Sequence, residues 1–390
     1  MEKFQREFIK ILKAGLSGKS EKISADFDPE KALQIAIKHN ITPILYYGAT
    51  NCNIPQEKEY MQELRRLTLR NMLASERQMY EIEQIVKAFE AENIEYMLLK
   101  GTIFKSEYPK PEMRTMGDAD ILIKLEQYPK IQMIMEQLQY TFKYESDHEL
   151  VWIKPSLFLE LHKSIMTTYN KDFYSYFGTG WKIAKSTPDS SGYKMSEEDF
   201  YIFAFVHFTK HYRISGIGIT HLIDMWIYSN AHPEINWTYV EKELEIMHLS
   251  QFHANVKKTI AVWFENAEET DITDLITNVI FNSGRYGSAE MAIINRALQN
   301  GNNTVAKMKV SRFLGNVFPP HATMAKKYAV LNKVPILLPF MWIIRIFEII
   351  FNRKAHVKKF FRETGRIEDT GIKENEQALR LVGLEFNSHT

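Results

Sequence analysis

Asp118 and Asp120 stand one residue apart in Gly117-Asp118-Ala119-Asp120-Ile121-Leu122-Ile123, shortly after Arg114. Side chains of an extended segment alternate, so the two carboxylates leave the same face of one strand. Like charges held that close repel, and a bound cation is the usual means of neutralising them. A third acid, Glu160, sits in Leu157-Phe158-Leu159-Glu160-Leu161-His162. There alternation puts Phe158, Glu160 and His162 on one face and the three leucines on the core face. An unpaired charge inside an apolar strand is costly, which makes Glu160 a stronger signal than a surface acid. Three such carboxylates suit metal-assisted phosphoryl or nucleotidyl transfer, where positioning and positive charge do most of the chemistry. Two divalent ions, Mg²⁺ or Mn²⁺, about 3.5–4 Å apart can activate an attacking hydroxyl and hold the triphosphate of an NTP. Asp118 and Asp120 are expected to bridge the ions. Glu160 is expected on an adjacent antiparallel strand, facing the pair and holding the ion next to the nucleophile.

Upstream, Leu98-Leu99-Lys100-Gly101-Thr102 joins a strand to a helix. A glycine at such a junction lets phosphate approach the backbone, and the following amides can cradle its oxygens. Thr102 adds a hydroxyl donor, while Lys100 and Arg114 are candidates to meet phosphates, Arg114 with two prongs. The alternative for Lys100 is a snorkelling or ion-paired residue. His162 either orients a group of the site or satisfies a structural hydrogen bond.

A second constellation lies at His207, Lys210 and His211, with Asp224 on the following helix. Histidines at i and i+4 on a helix can bind zinc, with Asp224 as a third ligand, although no glutamate base lies between them. Two other readings remain open. The histidines are hydrogen-bonded within a helix-packing layer, or Lys210, His211 and Arg213 grip phosphate or acceptor at the cleft edge, beside Gly216-Ile217-Gly218.

The elements that must position these groups follow from periodicity. The first ninety residues read as helical, with Leu64, Leu67, Asn71, Ala74, Met79, Ile82, Val86 and Phe89 marking one long helix. A short buried strand is expected over 94–99, a second over 119–124, a helix over 127–140 whose start Pro129 places near Tyr128, and a hairpin of 148–153 with 157–162 around Pro155-Ser156. Tyr108-Pro109-Lys110-Pro111 must be loop. From Ser196-Glu197-Glu198-Asp199, a capping-box start, the pattern turns helical to about residue 360. The fold class is therefore α+β: a small mixed-sheet core over 93–190, N-terminal helices over 1–92, a larger all-helical region over 195–365 and a polar, loosely held tail over 366–390.

A chain of 390 residues is long enough for two or three domains. Its formal net charge of +1 gives no strong nucleic-acid signature. Lys307, Lys309, Arg312 and the Lys354–Lys359 run read as a solvated helix face, or as a local groove for an RNA acceptor. The single cysteine, Cys52, excludes an internal disulfide and fits a reducing, cytoplasmic setting. The start of the chain lacks the apolar run of a signal peptide. The stretch 334–351 is apolar apart from Pro335, Pro339, Arg345 and Glu348, the last two three apart on one helix face. It reads as a buried or oligomer-facing helix. With its lysine flanks, the segment 334–359 also allows weak contact with an anionic membrane surface.

Residues 94–165 resemble the DNA polymerase beta-like nucleotidyltransferase superfamily, with a glycine-containing turn, an Asp-x-Asp strand and a third acidic strand. More narrowly, Leu98-Leu99-Lys100-Gly101, Arg114, Gly117-Asp118-Ala119-Asp120 and Leu159-Glu160-Leu161-His162 resemble a bacterial uncharacterised nucleotidyltransferase family. That similarity continues through His207-x-x-Lys210-His211, Gly216-x-Gly218, Leu222-Ile223-Asp224 and, more loosely, Phe318-Pro319-Pro320. The resemblance implies Asp118, Asp120 and Glu160 as metal ligands, Gly101 as a phosphate contact, and Mg²⁺ with an NTP as co-substrate. The turn departs from the Gly-Ser or Gly-Gly of the superfamily, and the interval from Gly101 to Asp118 is longer. Superfamily relatives modify antibiotics, RNA ends and protein side chains, so the resemblance leaves the acceptor open. The alternative readings are a nucleotide-binding or nucleotide-sensing protein without turnover, a toxin-like RNA nucleotidyltransferase, and a membrane-associated scaffold resting on 334–351.

Overall fold

The computed structural model describes residues 1–55, 58–285, 287–299, 307, 314–315, 317–352 and 369–384. The chain divides into two compact units, Met1–Tyr212 with Ile217–Tyr286, and Arg213–Gly216 with Gly287–His389.

The first unit begins with α1 (Lys3–Ser17), α2 (Pro29–His39), α3 (Thr42–Asn51) and the 33-residue α4 (Glu59–Ala91). Helices α1 and α3 cross at two glycines. A Cβ on Gly15 would lie 2.3 Å from the Ile44 carbonyl oxygen, and one on Gly48 only 1.9 Å from that of Ile11. Only glycine permits so close a backbone approach.

A seven-stranded mixed sheet follows, with strand order β3-β4-β5-β2-β1-β7-β6. Its strands are β1 (Tyr96–Leu98), β2 (Ala119–Ile123), β3 (Thr141–Glu145), β4 (Glu149–Lys154), β5 (Leu157–His162), β6 (Lys185–Ser186) and β7 (Gly192–Lys194). The strands expected over 94–99 and 119–124 and the hairpin at Pro155-Ser156 are present within a residue or two at each end. Strands β3, β6 and β7 were not expected. All five residues of β3 are exposed, so no alternating apolar pattern announces it. Glu160 does not arrive on an antiparallel neighbour: β5 runs parallel to β2, with Asp120 directly opposite Glu160. The crossover through α6 (Tyr128–Gln137) and β3–β4 reverses the chain enough times to bring β5 back parallel.

Alternation divides the sheet cleanly. Ala119, Ile121 and Ile123 of β2 and Leu157, Leu159 and Leu161 of β5 join Ile82, Ile85 and Phe89 of α4 and Ile131, Ile134 and Met135 of α6 in one apolar core. The opposite face keeps Asp120, Glu160 and His162. That face is completed by α5 (Gly101–Glu107) and, after the short α7 (Lys171–Phe177), by α8 (Glu197–Ser215) and α9 (Ile219–Ala231). Phe104 of α5 packs tilted against Phe200 and edge-on against Tyr228, with ring centroids 5.1 and 5.8 Å away. Ser196 caps α8 by accepting from the Asp199 amide at 3.1 Å, as its sequence signature suggests.

In the second unit, a helix over Asp369–Val382 buries Ile372 with Ile294 and Ala297 of the Ala289–Gln299 helix, so the expected polar tail contains an ordered, packed element. The apolar stretch forms a helix over Leu338–Asn352. Met341 and Trp342 pack on Met324, Ala325 and Leu331, while Ile336 just before the helix and Phe340, Ile343 and Phe347 on it are exposed, so the helix is not fully buried within the chain. Glu348 pairs with Lys327. Among the described residues no helix is long and apolar enough to cross a membrane. Lys309, Arg312 and the Lys354–Lys359 run lie outside the described residues.

Candidate active site

The acidic face of the sheet and helices α8 and α9 enclose a cavity of about 420 Å³ within the first unit. Asp118, immediately before β2, and Asp120 and Glu160, opposite one another on β2 and β5, line it together. The sequence-derived acid set therefore converges. No described residue donates a hydrogen bond to the Asp118 carboxylate. Burial first, then the charges of Asp120 and Glu160, push its pKa up to about 6. Asp120 behaves oppositely. Burial alone would raise it, but the Lys100 charge and a hydrogen bond from His162 hold it well below the usual carboxylate range.

Lys100 Nζ lies 2.9 Å from Asp120 Oδ1, and His162 Nε2 lies 2.7 Å from the same oxygen. Lys100 is thus ion-paired, and its partner is an acid of the cluster; His162 hydrogen-bonds the same acid. Its backbone has φ 39° and ψ −107°, a left-handed conformation unusual for lysine. The Ile103 and Phe104 amides donate to the Lys100 carbonyl at 3.0 and 2.9 Å, and this first turn of α5 fixes the strained residue. Gly101 lines the cavity, and a Cβ there would come 3.2 Å from Met116 Sδ. Thr102 is buried, its hydroxyl without a partner among the described residues, and does not line the cavity.

Arg114 also lines the cavity, but its guanidinium is committed: Nε donates to Asp224 Oδ1 at 2.7 Å and Nη1 to the Thr115 carbonyl at 2.7 Å. Tyr108 donates to the same Asp224 oxygen at 2.7 Å. Asp224 is therefore the buried anchor of the Arg114 loop. That arrangement removes the zinc reading with Asp224 as third ligand.

Lys210, His207 and His211 supply the helical wall, joined by His221 of α9. The Nε2 atoms of His207 and His211 are 3.0 Å apart. Burial, then neighbouring lysines, pushes His211 down to about 3, and burial holds His207 and His221 well below the usual histidine range. Neutral imidazoles therefore face the acids. Burial and the nearby Lys100 charge push Lys210 down to about 8. No described carboxylate forms an ion pair with Lys210.

Four ionisable lining residues escaped the sequence reading: His148, Glu149, His221 and Arg285. One had a signal. The two-residue turn pairs Lys154 with Leu157, and the same ladder sets Glu149 across from His162. Arg285 had none, since Gly284-Arg285 reads only as a helix break; Gly218 admits its backbone, a Cβ there falling 3.0 Å from Arg285 Cα.

No curated protein and no solved structure matches the chain. Residues 25–265, which carry every acid of the cluster and the α8–α9 wall, match a family described as uncharacterised nucleotidyltransferase. The chain belongs to that family, a family of transferases acting on NTPs.

Proposed function

We propose that the protein moves a nucleoside monophosphate from an NTP to an acceptor hydroxyl and releases pyrophosphate, in a reaction dependent on Mg²⁺ or Mn²⁺. The observation that carries this reading is the convergence of Asp118, Asp120 and Glu160 on one sheet face in a cavity that Lys100, Lys210 and Arg285 also line.

The donor set fits a hard divalent ion. Asp120, Glu160 and His162 offer donor atoms within 4.8 Å of one another. The half-buried Asp118 lines the same cavity with no hydrogen bond to its carboxylate among the described residues, its pKa raised by burial and by the charges of Asp120 and Glu160. Asp118, Asp120 and Glu160 would hold the metal. A bound divalent ion would polarise the reacting phosphate and offset its developing charge.

The remaining work belongs to the chain. Lys100 neutralises Asp120 and keeps it ionised. Lys210, with Arg285, offers positive charge to the triphosphate from the helical side. The acceptor oxygen forms its bond to the α-phosphorus as the bond to the pyrophosphate oxygen breaks, and Glu160 receives the acceptor proton. The near-neutral chain favours a small molecule or peptide as acceptor over RNA.

Pyrophosphate release from NTP in a cell extract, with and without chelator, tests the reading. Release that requires a divalent ion and disappears in Asp118→Ala supports it. Unchanged turnover in that variant sinks it. Tight, metal-dependent NTP binding with no release would make the protein a nucleotide sensor.

A further inference from the structure

One part of the cavity carries chemistry that the acid triad does not use. His148, Glu149 and His162 each offer a donor atom, and the three atoms lie within 4.8 Å of one another. The placement follows from the hairpin: Glu149 opens β4 and faces His162 at the end of β5, and His148 precedes it by one residue.

Each histidine is held as a metal-bound histidine is held, with one nitrogen tied to a carboxylate. His148 Nδ1 lies 2.9 Å from Asp147 Oδ1, and Asp147 Oδ2 in turn accepts from the Thr168 hydroxyl at 3.3 Å. His148 is thereby oriented with Nε2 toward Glu149, 3.2 Å from Oε2. A tetrahedral ion with bonds of about 2.0–2.1 Å holds its ligands about 3.3 Å apart, so this pair already has the spacing of two ligands. His162 Nε2 donates to Asp120 Oδ1 at 2.7 Å, so Nδ1 is the ring nitrogen that this pairing leaves over. That Nδ1 is fully buried on a side chain only 3% exposed and has no partner among the described residues. A buried ring nitrogen without a partner is rare and calls for one.

We propose that His148, Glu149 and His162 form a second metal position, built for a divalent transition ion of the Zn²⁺ type. Two imidazoles and one carboxylate are the donors of three-ligand zinc sites with an open fourth position, and imidazole disfavours Mg²⁺ relative to such ions. Through His162 the position is bridged to Asp120, so its ion adds positive charge at the edge of the acid cluster. The inference does not depend on nucleotidyl transfer, because the donor set stands whether or not the triad turns over.

The test uses full-length protein stripped of metal and titrated with Co²⁺ in excess Mg²⁺, followed by visible ligand-field absorption. One equivalent of Co²⁺ should give intense low-symmetry bands that Zn²⁺ abolishes and Mg²⁺ does not. His148→Ala should weaken binding by more than about 100-fold and Asp147→Asn, which touches only the orienting carboxylate, by about 10–100-fold. Asp118→Asn should leave the bands in place. Zn²⁺ should raise the unfolding temperature of the wild type and of Asp118→Asn, and not that of Glu149→Gln, a near-isosteric change that keeps the fold testable. Absence of bands at one equivalent, or bands unaltered in both His148→Ala and Asp147→Asn, overturns the proposal. Loss in Asp118→Asn with retention in His148→Ala would place the ion on the acid triad and overturn it equally.

Discussion

Removing the Asp224 carboxylate should destabilise the first unit more than any other single change near the cavity. Asp224 and Arg114 have side chains 3% and 12% exposed and meet at 2.7 Å, and Tyr108 donates to the same oxygen. Deleting one partner of a buried ion pair leaves the other charge uncompensated and costs about 3–5 kcal/mol. The unit spans roughly 280 residues. With an unfolding entropy of about 2.1 cal/mol/K per residue, Asp224→Ala should lower its Tm by about 5–8 °C. Replacing both charges by apolar groups of similar volume removes the orphan, so Arg114→Met/Asp224→Leu should regain most of that loss. Scanning calorimetry of the two variants beside the wild type reads both numbers. A loss below about 1 kcal/mol in Asp224→Ala, or a double variant no more stable than the single, would refute the assignment of Asp224 as the buried anchor.

Two further outcomes follow from the helical framework. His253 is buried against Tyr201, whose hydroxyl lies 2.9 Å from Nε2; burial and then the Lys257 charge push it down to about 3. The unfolded chain takes up this proton near pH 6.5 and the folded chain does not. Stability should therefore fall as pH drops from 6.5, by about 2 kcal/mol at pH 5 from this residue, and His253→Gln should flatten the melting-temperature profile over that range. Gly48→Ala, which forces a Cβ into the Ile11 carbonyl, should cost at least about 1–3 kcal/mol in a urea titration, whereas Gly18→Ala, with no atom within 4 Å of its Cβ, should show only the backbone cost of φ +70°.

How far the sequence carried depends on the range over which each feature is encoded. Strand alternation is local, so the facing of Asp120, Glu160 and His162 was legible from Leu157–His162 and Ala119–Ile123 alone. Strand direction is not local. Alternation is identical in parallel and antiparallel ladders, and β3, whose exposed residues give no pattern, hid the reversal that brings β5 parallel to β2. Partners far apart in the chain were the least visible. Arg114 and Asp224 are both plausible ligand residues by type, and only the packing of α9 on the preceding loop spends each on the other. Lys100 illustrates the reverse: the departure from the usual small residue at the turn has a use, since its ammonium reaches Asp120. The exposed apolar side of the Leu338–Asn352 helix was legible as unusual composition, and only the structure separates its packed residues, Met341 and Trp342, from Phe340 and Phe347.

The most direct test of the central claim is to supply the purified protein with NTP labelled at the α- or the γ-phosphate, a divalent ion and a cell extract, with Asp118→Ala/Asp120→Ala as the blank. Label should pass to an acceptor from the α position and not from the γ position, and only with the intact acid pair. Transfer from the γ position alone, or transfer that survives in the double variant, would contradict a nucleotidyl transfer carried by Asp118, Asp120 and Glu160.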